Sequence, residues 1–216
     1  KEAIIPLLTR KDGTVDLTGA CNTVLFEDGE RIGSNTDYRA AMDALEQVLE
    51  PDEHRPDTSP LFEKQVLILG AGGAARSIAF GVARRGAHLQ ITNHHDDRAT
   101  ALAGQVGCRT VSWAMRASTR AEVLINCTPI GMHPDVDDTP MPLAGLKEGM
   151  VVFDTVYHPE NTMLLKLARE RGSKTITGVE MFVRQAARQF KLYTGQDAPM
   201  DRMRDVLKRK LGPLRR

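Results

Sequence analysis

The sequence predicts an α/β fold in which a doubly wound parallel sheet follows a smaller, incomplete α/β unit. Three observations predict it. Short, wholly apolar runs alternate with amphipathic helical segments along most of the chain, which is typical of a parallel sheet covered by helices on both faces. A stretch with three prolines at 51–60 separates the two units, and a glycine-rich turn follows the first apolar run directly.

Composition and charge are those of an ordinary globular protein. The 216 residues are 41% hydrophobic and 26% charged, and 29 basic residues nearly balance 28 acidic ones. A net charge of +1 excludes a summed field that could hold a nucleic acid or an anionic membrane. No apolar run approaches the roughly 18 residues of a membrane span. The basic residues near the end of the chain are expected to be a solvated helix end (Lys208, Arg209, Lys210, Arg215 and Arg216).

Cysteine and histidine placement predicts neither a disulfide framework nor a metal site. Cys21, Cys108 and Cys127 stand far apart, and the six histidines lack a cysteine or carboxylate constellation at ligand spacing. A reducing, cytoplasmic compartment is therefore expected. The chain begins at Lys1 rather than at a methionine, which indicates a processed, trimmed or subcloned product with something missing upstream.

The first 50 residues predict a hairpin and a helix. Extended runs at 21–27 and 31–36 are joined through Asp28-Gly29, a dipeptide that tolerates the positive φ of a tight turn. Asn35, Thr36 and Asp37 then precede an apolar pattern with helical spacing. We expect a capped helix to about Glu50 and a linker over 51–64, because prolines cannot continue the helix.

The remainder predicts the doubly wound sheet. A strand at 66–69, a helix at 76–85 and a strand at 88–92 form a β-α-β unit. The later elements are strands at 123–125, 151–153 and 174–176, and helices at about 162–171, 179–193 and 200–211, the last ending at Gly212-Pro213.

The turn after the first apolar strand fits a dinucleotide-binding template of the Rossmann type. Gly70, Gly72 and Ala75 occupy the small-residue positions of G-x-G-x-x-G/A, between a strand and a helix. Gly70 permits the tight turn, and Gly72 lets the backbone approach a pyrophosphate at the helix N-terminus. We therefore expect Gly70, Ala71, Gly72, Gly73 and Ala74 to bind the cofactor. The alternative is a glycine-rich turn needed only for packing.

The tip of the second strand decides between NAD and NADP. A carboxylate there would accept hydrogen bonds from a free ribose 2′-hydroxyl, but the sequence reads Thr92-Asn93-His94, with Arg98 one helical turn beyond. Arginine suits a 2′-phosphate, so NADP is predicted, with Asn93, His94 and Arg98 as contacts. Asp96 and Asp97 could instead receive the diol of NAD or cap the next helix.

Six strings, in order along the chain, resemble the shikimate dehydrogenase family. They are residues 19–23 (GACNT), 35–37 (NTD), 70–74 (GAGGA), 126–132 (NCTPIGM), 154–157 (DTVY) and 178–182 (GVEMF), the last leading to Gln185. Residues 35–38 and 178–182 are especially similar to the dehydrogenase part of fused dehydroquinate dehydratase/shikimate dehydrogenase enzymes. The dehydratase part has no counterpart in the chain.

The resemblance implies reversible, NADP-dependent reduction of 3-dehydroshikimate to shikimate, with a Lys and an Asp beside the reacting oxygen. Asp37 lies in the family's Asn-Thr-Asp motif, and Lys1 stands at the family's spacing before residues 19–20. A lysine ammonium can donate the proton that a reduced carbonyl needs, and a neighbouring carboxylate favours the charged amine. On pattern alone, Lys1 is a frayed terminus and Asp37 a helix cap.

Further site residues follow from the same resemblance. Asn22 and Gln185 would hydrogen-bond the ring hydroxyls of the substrate, with Tyr157 nearby. Gly178 and Met181 would lie against the nicotinamide, as would a loop with Thr128 and Met132, which follows a buried strand at its carboxyl end. The alternatives without a role in ligand binding are a turn residue for Asn22, an exposed polar residue for Gln185 and a core residue for Met181.

Two departures from the family limit the resemblance. His94 stands where the family usually has an arginine that grips the 2′-phosphate, leaving Arg98 and Arg76, so NADP affinity is expected to be weaker or pH-dependent. The family's first β-α-β segments have no counterpart, which leaves sheet edges unpaired. We therefore expect an incomplete sheet that a homodimer or a missing upstream segment would complete.

Two other functions stay open: an NADP-binding fragment or regulatory module without turnover, and an NAD-dependent quinate dehydrogenase.

The resemblance also implies a division of the chain. Residues 1–50 would be a partial substrate and catalytic domain, 51–64 a linker, 65–180 the NADP-binding domain and 181–216 helices that return to the substrate domain.

Overall fold

The fold, taken from a computed structural model, contains two sheets joined by helices. The structure describes residues 1–51 and 53–211. The predicted helix end at Gly212-Pro213 and the basic residues Arg215 and Arg216 lie outside the described residues.

The smaller sheet holds the predicted hairpin. Strands β2 (Thr23–Glu27) and β3 (Glu30–Ser34) pair antiparallel, and Asp28 and Gly29 adopt positive φ at the turn, as predicted. A short strand, β1 (Arg10–Lys11), pairs parallel with β3 on its other side. The order is therefore β1-β3-β2, and β2 has no strand partner on its outer side within the described ranges.

Helix α1 (Gly13–Thr18) was not predicted. Its N-cap is Asp12, whose carboxylate accepts hydrogen bonds from the Thr14 and Val15 amides, and Gly19 ends it in the left-handed conformation. Helix α2 (Thr36–Val48) follows the small sheet, with Asn35 as its N-cap. The predicted capped helix is thus confirmed, and its first turn carries Asp37.

The larger sheet has six parallel strands in the order β6-β5-β4-β7-β8-β9, so its order reverses between β4 and β7. The strands are β4 (Gln65–Leu69), β5 (His88–Thr92), β6 (Arg109–Thr110), β7 (Val123–Asn126), β8 (Val151–Asp154) and β9 (Lys174–Ile176). The helices are α3 (Gly73–Ala83), α4 (Asp96–Val106), α5 (Met163–Glu170), α6 (Gly178–Thr194) and α7 (Met200–Leu211), and 3-10 turns span Ile5–Leu7, Trp113–Ser118 and Leu143–Gly145.

The doubly wound parallel sheet is confirmed by how its strands are buried. Successive residues of β4 enter two different cores: Val66 and Ile68 pack with helices α2 and α3, and Leu67 and Leu69 pack with α5. Because both faces are covered, β4 carries four consecutive buried apolar residues after Gln65, as is typical of such a sheet. Helix α3 begins three residues earlier than predicted, because the glycine turn itself enters the helix.

Helices α2 and α6 connect the two sheets. They pack against each other, and α2 also packs against α3. The approach to α3 is close, since a Cβ on Gly81 would lie 2.6 Å from the Met42 sulfur. This arrangement brings the first turn of α2 and the start of α6 to the carboxyl edge of the large sheet.

Candidate active site

The glycine turn lies at the point where the strand order reverses. Gly70 has φ +108°, and a Cβ there would come within 2.9 Å of the Cys127 carbonyl oxygen, which follows β7. Only glycine fits both the conformation and the contact. Ligands of doubly wound sheets bind in the crevice that opens at this reversal.

The two sides of the turn differ in how open they are. A Cβ on Gly72, the N-cap of α3, would meet no atom within 4 Å. A Cβ on Gly73 would lie 3.3 Å from Cδ of Lys1. The turn thus leaves open space for a pyrophosphate at the N-terminus of α3, which fits a dinucleotide, and it touches the side chain of Lys1 on the other side.

Lys1 and Asp37 form an ion pair. The Lys1 ammonium donates to Oδ2 of Asp37, whose side chain is 9% exposed against 38% for Lys1. Asn22 donates from Nδ2 to Oδ1 of the same carboxylate at 3.0 Å and accepts the Thr36 amide at 2.9 Å. Both carboxylate oxygens are therefore held, one by Lys1 and the other by Asn22.

A cavity of about 390 Å³ gathers the predicted catalytic and substrate-binding residues. Its lining includes all five of them and three of the predicted cofactor residues (Lys1, Asn22, Asp37, Tyr157 and Gln185, with Ala74, Gly178 and Met181). It also includes three residues that were not predicted as site residues: Thr155, Phe182 and Gln189. The rings of Tyr157 and Phe182 pack in a tilted arrangement with centroids 4.9 Å apart, and Gln189 donates to the Thr23 hydroxyl at 3.1 Å.

The other predicted cofactor residues lie outside this cavity, in the turns after β4, β5 and β7. Asn93 is buried after β5 and donates to the His95 carbonyl at 3.1 Å. His94 and Arg98 are exposed next to it. Thr128 is buried after β7, and Met132 is 40% exposed further along that loop. The described structure thus divides these residues between one cavity and the carboxyl edge of the sheet.

Arg76 contacts the N-terminal segment of the chain. Its guanidinium lies 3.3 Å from the Glu2 carboxylate and 3.4 Å from the Thr18 carbonyl oxygen. The N-terminal segment thus contacts this side chain, and the assistance of Arg76 to Arg98 at a 2′-phosphate stays a prediction. Asp96 and Asp97 lie in the first turn of α4 and are exposed, while His95 is the N-cap.

A buried polar network fixes the ends of β7 and β8. Asp154 accepts Asn126 Nδ2 at 2.9 Å, the Val156 amide at 3.0 Å and the Thr162 hydroxyl at 2.7 Å. Asn126 in turn accepts the Thr128 amide at 2.9 Å. Burial raises the pKa of Asp154 to about 6, although these hydrogen bonds oppose the rise. The network orients the Thr128 loop on one side and the Tyr157 loop on the other.

We expect the Asp154→Asn variant to lose part of the pH dependence of stability. The pKa of Asp154 is raised from 3.8 to about 6 in the folded state. The group therefore stabilises the fold most when protonated, and that contribution is lost as pH rises through about 6. Between about pH 4 and about pH 7, the free energy of unfolding of the unaltered protein should fall by up to about 3 kcal/mol relative to that of the variant, which lacks this titrating group. Urea unfolding measures this difference.

The matched control is Asp135→Asn, which changes an exposed carboxylate. It should leave the pH profile of the free energy of unfolding unchanged. Equal profiles for Asp154→Asn and the unaltered protein would contradict the assignment of the raised pKa to Asp154.

The described residues contain no group of three or more His, Cys, Asp or Glu side chains placed to hold a metal ion. Cys21, Cys108 and Cys127 are free thiols. No helix in the described part of the chain is long and apolar enough to cross a membrane.

Comparison with known proteins gives the family. Residues 178–208 match the model of the shikimate 5'-dehydrogenase C-terminal domain, and residues 65–157 match that of NADP oxidoreductase, coenzyme F420-dependent. Shikimate dehydrogenase (NADP(+)) of Methanothermobacter thermautotrophicus is 38% identical to 98% of the chain, which spans 75% of that protein. This chain belongs to the shikimate dehydrogenase family.

Other members of the shikimate dehydrogenase family are also similar to this chain over most of its length. The chloroplastic bifunctional 3-dehydroquinate dehydratase/shikimate dehydrogenase of Arabidopsis thaliana is 39% identical over 93% of the chain, which covers 35% of that longer protein. A crystal structure of a shikimate dehydrogenase in complex with NADP+ has a TM-score of 0.89 at 33% identity, covering 99% of this chain and 74% of that one. The Thermus thermophilus enzyme in complex with NADP(H) and shikimate has a TM-score of 0.83 at 32% identity, covering 98% and 76%.

Quinate dehydrogenase from Corynebacterium glutamicum in complex with NAD also has this fold. Its TM-score is 0.83 at 31% identity, covering 95% of this chain and 73% of that one. The fold is thus shared by relatives that differ in substrate and cofactor.

Proposed function

We propose that this chain catalyses the NADP-dependent, reversible reduction of 3-dehydroshikimate to shikimate. The observation that carries the proposal is the Lys1–Asp37 ion pair, which lies in one cavity with Gly178 and Met181 and against the glycine turn at Gly73. A proton donor and a dinucleotide turn in contact are what a carbonyl reduction requires. Membership of the shikimate dehydrogenase family supports the choice of substrate.

The residues divide the chemistry among them. NADPH, when bound at the turn of residues 70–74, supplies the hydride. Lys1 donates the proton to the substrate oxygen. Asp37 holds the ammonium in place through Oδ2, while Asn22 anchors the other oxygen, Oδ1, of the same carboxylate. The buried environment of Asp37 makes this electrostatic interaction stronger than it would be in water.

Substrate hydroxyls would be held by amide groups. Gln185 lines the cavity, and Thr36 links its Oε1, at 3.4 Å, to the Asn22 side chain. Tyr157 lies at the rim, backed by Phe182. Residues 65–180 would then bind NADP, while residues 1–50 and 181–216 would bind the substrate.

We further propose a cytoplasmic location and a partner for the small sheet. The outer side of β2 has no strand partner among the described residues, so a second copy of the chain or a further segment of the polypeptide would pair with it. Analytical ultracentrifugation of the purified chain distinguishes a dimer from a monomer.

Steady-state oxidation tests the substrate and the cofactor together. Shikimate and quinate are each assayed with NADP+ and with NAD+. The proposal predicts the highest kcat/KM for shikimate with NADP+. A preference for quinate with NAD+ would favour the alternative that the Corynebacterium relative represents, and cofactor binding without any turnover would indicate a nucleotide-binding module.

We expect Arg98→Ala to weaken NADP binding selectively. Loss of a charge-assisted contact to the 2′-phosphate should raise the KM for NADP+ about tenfold and leave that for NAD+ nearly unchanged. Arg120→Ala, which removes another exposed arginine, should change neither. An equal loss with both cofactors after Arg98→Ala would show that this arginine does not read the phosphate.

A further inference from the structure

A second concavity lies away from the active site, between helices α1, α2, α3 and α6. Its volume is about 640 Å³, within the range of small-molecule sites. We call it the basic cleft, because its lining contains five cationic side chains and one carboxylate, that of Asp12 (the cations are Arg39, Arg84, Arg85, Arg188 and Lys191).

Two of these cations have no hydrogen-bond or ion-pair partner among the described residues. Three are paired with carboxylates (Arg85 with Glu46, Arg188 with Asp43 and Lys191 with Asp197). Arg39 and Arg84 are exposed, and their guanidinium groups make no ion pair or hydrogen bond with any described residue. Two guanidinium groups whose N–H donors are unused by the described residues therefore line one concave surface.

The single carboxylate of the lining does not neutralise them. Asp12 Oδ1 accepts the amides of Thr14 and Val15, at 2.9 and 3.1 Å, and Oδ2 accepts the Ser34 hydroxyl at 2.6 Å. Its charge is thus directed to the cap of α1 and to β3. The two unpaired arginines of the lining outnumber this one carboxylate, so the cleft favours an anion.

We propose that the basic cleft binds a small anion that carries a phosphate group, held by Arg39 and Arg84. A guanidinium presents paired N–H donors that match two phosphate oxygens, and two such groups balance a dianion. An extended polyanion is disfavoured, because the chain has a net charge of only +1 and the cationic groups line a bounded concavity.

The position of the cleft makes this anion a candidate effector. Arg39 lies two residues after Asp37 on α2, and Arg188 lies three residues after Gln185 on α6. Arg84 is the C-cap of α3, whose opposite end is the glycine turn. An anion in the cleft would contact all three helices that carry active-site residues, so its binding should change kcat or KM. This coupling, unlike the binding itself, rests on the proposed function.

Isothermal titration calorimetry with inorganic phosphate and with glycerol phosphate tests the binding. Because the glycine turn is also a phosphate site, the titrations use both the unaltered protein and a Gly72→Val variant, in which a side chain obstructs the turn. One saturable site should remain in Gly72→Val and weaken about tenfold or more when Arg39→Gln and Arg84→Gln are added. The result does not depend on turnover.

The matched control adds Arg120→Gln and Arg171→Gln, which remove two exposed arginines outside the cleft. It should bind both probes as Gly72→Val does. Tighter binding of glycerol phosphate would identify a phosphate monoester as the ligand, and equal binding would identify free phosphate. Absence of a saturable site in Gly72→Val, or equal weakening by the control substitutions, would overturn the proposal.

Discussion

A Lys1→Met variant is expected to lose about two to four orders of magnitude in kcat, the usual contribution of a positioned general acid. Methionine keeps the unbranched side chain that lies against Gly73 and removes only the ammonium that Asp37 holds. The KM for NADP+ should change little, because the glycine turn remains intact. Steady-state kinetics of shikimate oxidation measures both parameters.

The control is Lys147→Met, which changes an exposed lysine away from the cavity and should leave kcat unchanged. Asp37→Asn should also reduce kcat strongly, because it removes the carboxylate that fixes the ammonium. A kcat within about tenfold of the unaltered protein in Lys1→Met would exclude Lys1 as the proton donor.

The Gly72→Val substitution is expected to raise the dissociation constant for NADP+ about a hundredfold or more, with only a small effect on folding. Nothing lies within 4 Å of a Cβ at this position, and φ is −86°, so the free protein accepts a side chain. Loss of the glycine N-cap should cost about 1 kcal/mol of stability. The bound pyrophosphate, however, needs the space that valine fills.

Substitutions at two other glycines distinguish an effect on binding from an effect on folding. Gly104→Val adds the same side chain to α4, where a Cβ also meets no atom within 4 Å, and it should not affect NADP+ binding. Gly70→Ala should instead destabilise the protein, because Gly70 has φ +108° and a Cβ would clash with the Cys127 carbonyl. Unchanged NADP+ affinity in Gly72→Val, measured by calorimetry, would contradict a dinucleotide site at this turn.

Five of the six described strands of the large sheet could be predicted, because burial leaves a local signal in most of them; the two-residue, exposed β6 was not predicted. Runs such as residues 66–69 are apolar throughout, and the turn after them has a demanding geometry that only small residues satisfy. Helix α1 has no such signal. It is six residues long, too short for a periodic pattern, and it depends on the cap that Asp12 provides.

The candidate site could be predicted only where a motif marked it. Lys1, Asp37, Asn22 and Gln185 were expected from the family resemblance, and the structure brings them to one cavity; their catalytic and binding roles stay predictions. Gln189 and Phe182 enter the cavity because α6 crosses it, which no local pattern encodes.

The surroundings of Asp154 and Arg76 could be identified only from tertiary contacts. In the sequence, Asp154 is one polar residue after an apolar strand, and only the fold shows it buried among Asn126, Val156 and Thr162. Arg76 follows the glycine turn closely enough to suggest a phosphate contact. The structure instead pairs it with Glu2, which lies 74 positions away in the chain.

A single-turnover experiment tests most directly whether this chain reduces 3-dehydroshikimate at the Lys1–Asp37 pair. The protein, in excess over NADPH, is mixed with 3-dehydroshikimate, and the loss of NADPH absorbance and the formation of shikimate are followed together. We predict stoichiometric conversion by the unaltered protein and a rate about two to four orders of magnitude lower for Lys1→Met. NADPH that binds but is not oxidised by the unaltered protein, even with enzyme in excess, would contradict the proposed function.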